Sequence, residues 1–376
     1  MQWRRMLASC AIVAATTVPP ALCAATYPAL APLPPVPVPR DNPQTPAKIE
    51  LGRLLFWDYR LSGDSSMPCA VCHLPDRGWG DGAPLSRGYP GTKHWRNSQT
   101  VLNSAYYNKL FWDGSVTSLE TQAPAAAEGS VAGNGDSSVM EMRLRFVPEY
   151  VEGFKAVFGT DWPRINDAWR AIAAYERTIV SDARKVPFDR HMNGEARALN
   201  AAQLAGMKLF YGKAGCIQCH NGPLASDQKY YDTGVPDHPG FQDDPLLQIT
   251  HRWQHYQRGV PEAMYRGATR DYGLYYQTKN PKDIGKFRTP SLRELKYTAP
   301  YMHNGVFTTL QQVVDFYDAG GGKAFNGTAL LKPLKLTADE KQQLVAFLEA
   351  LSMTEPLVEE KPRLPGGYRP LPPPAQ

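Results

Sequence analysis

The sequence predicts a mostly α-helical protein with long loops, built from two similar units. Apolar residues recur at helical spacing in several segments, whereas the alternation typical of strands is scarce. A Cys-x-x-Cys-His motif occurs twice, at residues 69–73 and at residues 216–220. Similar sequence surrounds both motifs, which indicates an internal duplication.

Capping residues and apolar spacing mark the helices. They predict a helix that opens at Thr45-Pro46, one over residues 167–180, one over residues 200–211 closed by Gly212, and one that starts at the capping box of Thr337 and Glu340. A further helix is predicted to begin near Thr309 and to stop at Gly320. Residues 225–286 form an insert rich in Tyr, Trp, His and Pro, and only the second unit has it.

The duplication is visible in short matched stretches. A Gly-x-x-Leu-Phe pattern precedes the first motif at residues 52–56 and the second motif at residues 206–210. Downstream, the interval from Gly114 to Leu119 equals that from Gly305 to Leu310. Two copies of one helical unit explain this repetition.

Each Cys-x-x-Cys-His motif is typical of covalent haem attachment, because two thiols add to the haem vinyl groups and the histidine binds iron. The sequence therefore predicts two haem c groups, attached through Cys69, Cys72, Cys216 and Cys219 and ligated by His73 and His220. A zinc site made from the same residues is the alternative. Export of the chain, and a histidine directly after each cysteine pair, favour haem over zinc.

The two units are thus expected to be cytochrome c-like haem domains. We predict a signal peptide over residues 1–25, a proline-rich arm over 26–45, an N-terminal haem domain over 46–186, a C-terminal haem domain over 187–355 and a proline-rich tail over 356–376. The basic start and short apolar run of the signal peptide predict export to the periplasm with no membrane span. A formal net charge of +5 gives no argument for nucleic-acid binding.

The two units differ on the distal side of the predicted haems. Aligning Gly114 with Gly305 puts Ala126 opposite Tyr317. Tyr317 continues the apolar spacing of its helix, so its ring is predicted to face inwards, either as a core residue or as a phenolate ligand of the second haem. Because alanine cannot bind iron, the first haem is expected to keep an open site for a small oxidant.

Several further motifs resemble those of the bacterial di-haem cytochrome c peroxidase and MauG superfamily. They lie at residues 61–64, 96–98, 111–114, 119–122, 287–292 and 298–305, and the resemblance runs over most of residues 48–351. Conventional di-haem peroxidases have methionine where this chain has Tyr317, whereas MauG-like members have tyrosine. Met302 and Met264 are the alternative ligands within this chain.

The resemblance also implies roles for individual residues. Trp112 would pass electrons between the haems, and Gln122 and Glu141 would line the distal pocket of the first haem. Glu128 competes with Glu141, because residues 128–138 look like an insertion relative to the family pattern. His94 lies too close to Asn97 to match the family's distal histidine, so a loop or supporting role is favoured.

A structural calcium ion is a further implication of the resemblance. Its ligands would be Asn97 and the backbone carbonyls of Thr298 and Pro300. Oxygen ligands suit this hard cation.

The leading functional prediction is a periplasmic MauG-like di-haem oxidase that uses hydrogen peroxide, or oxygen plus electrons, to oxidise a protein. The precursor of methylamine dehydrogenase is one possible substrate. One rival is a peroxidase that reduces hydrogen peroxide with electrons from a cytochrome c or cupredoxin. The other is a non-catalytic di-haem electron carrier.

Overall fold

The structure is a computed structural model that describes residues 27–89 and 91–367, and helices joined by long loops dominate this part of the chain. Its α-helices are α1 (Pro46–Phe56), α2 (Cys69–Cys72), α3 (Leu119–Ala127), α4 (Ser137–Arg145), α5 (Pro148–Phe158), α6 (Ile165–Glu176), α7 (Pro187–Met192), α8 (Ala201–Tyr211), α9 (Pro239–Gln242), α10 (Pro245–Gln257), α11 (Glu262–Gly267), α12 (Tyr275–Thr278), α13 (Leu310–Asp318) and α14 (Ala338–Ala350). Short 3-10 turns lie at Tyr59–Leu61, Pro75–Arg77, Ser104–Tyr106, Cys216–Gln218, Pro281–Asp283, Leu295–Tyr297 and Pro365–Gly367. The mostly helical prediction is confirmed.

Two short strands close the base of the insert. β1 (Tyr230–Tyr231) and β2 (Phe287–Arg288) pair antiparallel, with Tyr230 opposite Arg288. Helices α9 to α12 lie between them in sequence. The insert therefore leaves and rejoins the second unit at one place.

Most of the predicted helix boundaries are confirmed. The Thr45 hydroxyl caps α1 by accepting from the Lys48 amide, and capping boxes at Asn200 and Thr337 open α8 and α14. Helix α6 is shorter than predicted. It ends at Glu176 because the Thr178 amide bonds back to the Tyr175 carbonyl at 2.8 Å, which tightens and ends the last turn.

Two helix crossings form the centre of the fold, and a glycine permits each one. In α1, a Cβ added to Gly52 would lie 1.9 Å from the Ala171 carbonyl oxygen of α6. In α8, a Cβ added to Gly206 would lie 1.9 Å from the Gln343 carbonyl oxygen of α14. Only a residue without a Cβ allows backbones to approach this closely, so the repeated glycines of the sequence have a structural cause.

Corresponding loops also precede α3 and α13. An isolated antiparallel bridge joins Leu110 to Val116 before α3, and another joins Tyr301 to Phe307 before α13. Each pair is separated by the same number of residues, and each helix begins at the leucine that the sequence alignment matched. These correspondences agree with the duplication, which stays an interpretation.

The proline-rich segments pack against the helical body more closely than the sequence predicted. The Leu30 amide donates to the Tyr211 hydroxyl at 3.0 Å, and an Arg293 guanidinium NH donates to the Ala31 carbonyl at 2.7 Å. In the tail, the Leu357 carbonyl accepts from the Trp79 indole at 2.8 Å. Both segments are irregular, as expected, but they are anchored.

The predicted signal peptide lies outside the described residues. Among the helices of residues 27–89 and 91–367, none combines the length and apolar character needed to cross a bilayer.

Candidate functional site

Two large cavities lie at the two Cys-x-x-Cys-His motifs. The first cavity is lined by Cys69, Cys72 and His73, and the second cavity by Cys216, Cys219 and His220. Each has a volume of about 500 Å³. That volume lies within the range of cofactor pockets, roughly 300–1,000 Å³. The two cysteine pairs lie in different cavities, so the four thiols are not gathered into one zinc site.

Each motif histidine is oriented by its own backbone. His73 Nδ1 lies 3.1 Å from the Trp79 carbonyl oxygen, and His220 Nδ1 lies 3.2 Å from the Ala225 carbonyl oxygen. An Nδ1–H donor leaves Nε2 as the nitrogen that can bind a metal. Burial lowers the pKa of both imidazoles, which keeps them in the neutral form that ligation requires. The residues present therefore fit a haem in each cavity.

Trp112 lies in a wall that the two cavities share. Its side chain is 9 % exposed, and its indole donates to the Asn97 carbonyl at 3.0 Å. Its own carbonyl accepts from the Arg288 amide at 2.9 Å. These bonds fix the indole between the two motifs, the location that the resemblance implied for an electron bridge.

Tyr317 lies on α13 with Val313 and Val314 on the same face of the helix. It lines the second cavity, and it also borders the first. Burial raises its pKa to about 12, and the nearby Cys216 and Cys219 thiols add to this effect. Ionisation therefore needs a compensating positive charge, such as a bound iron.

The two methionines considered as alternatives lie in different places. Met302 lines both cavities. Met264 packs against Val260 and Tyr275 and is not among the lining residues. Met302 thus remains the alternative to Tyr317 on geometric grounds.

Small side chains form much of the wall of the first cavity beside Gln122. They are Ala123, Ala125, Ala126, Ala127, Gly129, Ala132 and Gly133. Gln122 lies at the wall as the resemblance implied. Ala126 leaves room at the position that Tyr317 occupies in the second unit.

The structure does not bring Glu141 to the first cavity. Its carboxylate pairs with Arg145 and accepts from the Ile165 amide at 2.8 Å, at the N-terminus of α6. An acceptor there satisfies an otherwise unpaired helix amide, which explains its position. Glu128 accepts from the Ser137 hydroxyl and does not line the cavity either.

The buried carboxyl that does line the first cavity is Glu176, which the sequence reasoning missed. The residue is 3 % exposed, and its Oε2 atom has no hydrogen-bond partner. Burial raises its pKa to about 8. The sequence contained a signal for it, because Trp169, Ile172, Ala173 and Glu176 share one helical face on which a charged residue is unusual.

Buried aromatic side chains of the insert and of the first unit meet at the first cavity. His255 lines the cavity and stacks on Tyr276 with ring centroids 3.5 Å apart, and neither of its ring nitrogens has a hydrogen-bond partner. His94 also lines the cavity, stacks on Trp95 at 4.1 Å and accepts from the Arg96 amide. These contacts agree with a supporting role for His94.

A buried ion-pair network fixes the insert against the first unit. Arg96 binds Asp271 through Nε at 2.6 Å and Asp113 through a terminal nitrogen at 2.8 Å. Burial alone would raise the pKa of Asp271, but the Arg96 guanidinium lowers it well below its usual range. Both carboxylates are therefore ionised and positioned.

The predicted calcium ligands are all residues of the first cavity's wall. Asn97, Thr298 and Pro300 all line it. The Asn97 amide nitrogen donates to the Ala83 carbonyl at 2.8 Å, which leaves the amide oxygen as the atom able to face a cation.

Comparisons with known proteins agree with this geometry. The family model described as di-haem cytochrome c peroxidase matches residues 46–197. The chain is 74% identical to cytochrome-c peroxidase IdrP1 of Pseudomonas sp. (strain SCT), over 93% of this chain and 92% of that protein. It is 34% identical to the methylamine utilization protein MauG of Methylorubrum extorquens, over 88% of this chain and 85% of MauG.

A solved structure gives the same result at the level of the fold. A MauG-like protein associated with microbial copper homeostasis has a TM-score of 0.71 and 31% identity, covering 86% of this chain and 94% of that one. Membership in this family implies two haem c groups, which the two cavities fit. The chain belongs to the di-haem cytochrome c peroxidase family and is an oxidoreductase.

Proposed function

We propose that the protein reduces hydrogen peroxide to water at the first cavity, using electrons from a small redox protein such as a cytochrome c or a cupredoxin. The observation that supports this most is the difference between two matched helices. Helix α3 has Ala126 in the wall of the first cavity, whereas α13 has Tyr317 in the wall of the second cavity, at the side where it also borders the first. Its relatives support peroxide as the substrate, since the 74% identical protein is named a cytochrome-c peroxidase. The reaction consumes one peroxide, two electrons and two protons, and it releases two waters.

Different residues of the chain have roles in the two cavities. When bound, the two haem groups supply the electron-transfer chemistry that peroxide reduction needs. His73 and His220 hold their Nε2 atoms ready for ligation. The Gln122 amide can donate a hydrogen bond to a peroxide oxygen in the first cavity. The phenol of Tyr317 would hold the iron of the second cavity as a phenolate, and this ligand would keep peroxide out of the second cavity.

Trp112 is the proposed path for electrons between the two cavities. Its indole lies in the wall of both and is held by hydrogen bonds at its side chain and its carbonyl. A fixed, buried aromatic ring between two redox centres shortens the gap that an electron must cross.

A calcium ion bound by Asn97, Thr298 and Pro300 is part of the proposal. Chelation is expected to lower the melting temperature of the wild type, because a ligand that binds only the folded state stabilises it by mass action. An Asn97→Leu variant should be insensitive to chelation. Equal loss in both proteins would contradict this ligand set.

The domain organisation and the cellular location of the protein are also proposed. We interpret the two helix crossings and the matched loops as a duplicated haem unit, with domains at residues 46–186 and 187–355. We also propose export to the periplasm through a signal peptide at residues 1–25, because a basic start followed by a short apolar run is typical of such a peptide.

A second candidate is the oxidation of a protein substrate, as in the MauG-like branch. Tyr317 favours this second candidate, because the resemblance implies methionine at that position in conventional di-haem peroxidases and tyrosine in MauG-like members. The comparisons do not single out the methylamine dehydrogenase precursor, since the MauG relatives are 34% and 31% identical. A non-catalytic electron carrier is the third possibility, and Ala126 in the wall of the first cavity argues against it.

The test is steady-state consumption of hydrogen peroxide with a reduced small cytochrome c or cupredoxin as the donor. The proposal predicts two donor molecules oxidised for each peroxide consumed. Absence of turnover with either donor, while peroxide still oxidises a protein substrate, would favour the second candidate. Absence of any reaction with peroxide would favour the electron carrier.

A further inference from the structure

The buried carboxyl of Glu176 is not used in the function proposed above. It ends α6, lines the first cavity and is 3 % exposed. Its Oε2 atom has no hydrogen-bond partner. A buried polar atom without a partner costs stability, so an apolar residue would pack here at lower cost.

The second unit has such an apolar residue at the matching place. At the first crossing Gly52 approaches Ala171 and Tyr175, and at the second Gly206 approaches Gln343 and Phe347. The residue after Tyr175 is Glu176, and the residue after Phe347 is Leu348. Leu348 lines the second cavity as Glu176 lines the first. The carboxyl is therefore a specific difference between otherwise corresponding walls.

The charged groups around Glu176 leave it free to titrate. Arg177 follows it in sequence but is paired with Glu120 of α3 at 2.8 Å. Burial is the main cause of its raised pKa, which Arg177 opposes and Glu120 supports.

The other neighbouring elements bring little charge to it. On α2, the Glu176 carboxylate helps to raise the pKa of the Cys69 thiol. Once a haem is attached, Cys69 is a thioether and has no charge. On α1, Lys48 interacts with Arg170, Asp167, Arg177 and Glu120. Helix α4 contributes the buried apolar side chains Met140 and Leu144.

We propose that Glu176 is a redox-linked proton site of the first cavity. When the centre held by His73 gains one electron, the Glu176 carboxylate takes up one proton from solvent, and when the centre loses that electron the carboxylic acid releases the proton. The physical reason is that an oxidised centre carries one more positive charge, which favours the carboxylate, whereas reduction removes that charge. Net charge inside the wall is then unchanged by the electron transfer.

This inference rests on the proposed function for the electron donor and for a use of the proton. Peroxide reduction needs two protons, and Glu176 would hold one of them beside the cavity in which they are consumed. Glu176 is a proton-holding residue here, and no contact with peroxide is part of the claim.

The experiment is a potentiometric titration of both haems in the holoprotein between pH 5.5 and 9.5. Wild type, Glu176→Gln and Glu176→Leu are compared. In wild type, the midpoint potential of the first haem should fall as pH rises. The slope should approach 59 mV per pH unit, the value for a step that couples one electron to one proton. Both variants should lose this dependence, and the second haem should be unaffected. A Glu176→Gln protein with the wild-type pH dependence would overturn the proposal.

Two further measurements keep the proposal testable. Redox-difference infrared spectra of wild type should contain a carboxyl C=O band that is missing in Glu176→Gln, and its absence from wild type would contradict the proposal. Leu348→Glu should introduce a pH dependence at the second haem. A folded Leu348→Glu protein without one would contradict the claim that this wall position couples to the centre.

Peroxide turnover by wild type, measured in parallel, separates this inference from the proposed function. A protein that shows the Glu176-dependent potential but consumes no peroxide would refute the function and keep the proton site. A protein that consumes peroxide with a potential independent of Glu176 would refute the proton site alone.

Discussion

The two cavities have the same attachment motif, the same histidine orientation and the same helix crossing, yet their walls differ at two matched positions. The first has Ala126 and Glu176, a small residue and a carboxyl. The second has Leu348, an apolar residue, and Tyr317, a potential ligand that also borders the first cavity. The scaffold that holds a haem is therefore separable from the side chains that decide what the haem does. Changes at these four positions should exchange properties between the cavities.

The largest expected effect concerns Glu176 and stability. Its pKa is raised from 4.5 to about 8 in the folded protein, so the folded state carries no penalty below pH 4.5 and an increasing penalty as pH rises towards 8. The penalty is about 1.4 kcal/mol for each pKa unit by which the carboxyl is raised. Relative to wild type, Glu176→Leu should thus gain more unfolding free energy at pH 8 than at pH 4.

Denaturant unfolding of the two holoproteins at pH 4, 6 and 9 measures this difference. Glu152→Leu is the control, because that carboxylate lies on the exposed face of α5. A Glu176→Leu difference that is constant with pH would contradict the buried, titrating carboxyl.

Closing the first cavity is the next test. Ala126→Tyr places in the first unit the residue that the second unit has at the matched position. We expect peroxide turnover to fall by about 100-fold or more, because a misplaced group at a reacting centre costs on this order. Thr121→Tyr, on the exposed face of the same helix, is the matched control. Retained turnover in Ala126→Tyr would mean that peroxide reacts elsewhere.

The two glycine-containing helix crossings allow the two units to be compared without changing either cavity. Gly52→Ala and Gly206→Ala each force a Cβ against a backbone carbonyl, and each should lower the unfolding free energy by roughly 1–3 kcal/mol. Gly153→Ala in α5 meets only a Leu51 methyl at 3.5 Å and should be neutral or stabilising. Strongly unequal losses at Gly52 and Gly206 would show that the two crossings are not equivalent.

The smallest expected effect concerns the hydrogen bond that orients Trp112. Trp112→Phe keeps an aromatic ring in the shared wall but removes the bond to the Asn97 carbonyl, at a cost of about 1 kcal/mol. Electron exchange between the centres, followed by rapid-mixing spectroscopy, should slow while the first haem still reacts with peroxide. An unchanged exchange rate would place the electron path elsewhere.

Many of the helices and both haem motifs could be predicted from the sequence, because the interactions that specify them are local. Thr45, Asn200 and Thr337 cap helices through contacts within one turn, and the two motifs specify haem attachment by themselves. Tyr317 was located by combining helical spacing with the duplication. These inferences needed no knowledge of distant contacts.

The positions of other residues depend on contacts between distant parts of the chain, which the spacing of residues in the sequence does not specify. Glu141 was assigned by family position in a region of uncertain alignment, and the chain folds so that it caps α6 instead. Glu176 was missed because its environment is set by α3 and α6 packing together. His255 reaches the first cavity through long-range contacts of the insert with the first unit, among them the Arg96–Asp271 pair.

The most direct test of the difference between the cavities is electron paramagnetic resonance of the resting ferric holoprotein, in wild type and in Tyr317→Phe. We predict one high-spin ferric centre from the first cavity and one low-spin centre from the second, with only the low-spin signal changed by Tyr317→Phe. Two low-spin centres in wild type, or a low-spin signal that Tyr317→Phe leaves unchanged, would contradict an open first haem beside a tyrosine-closed second one.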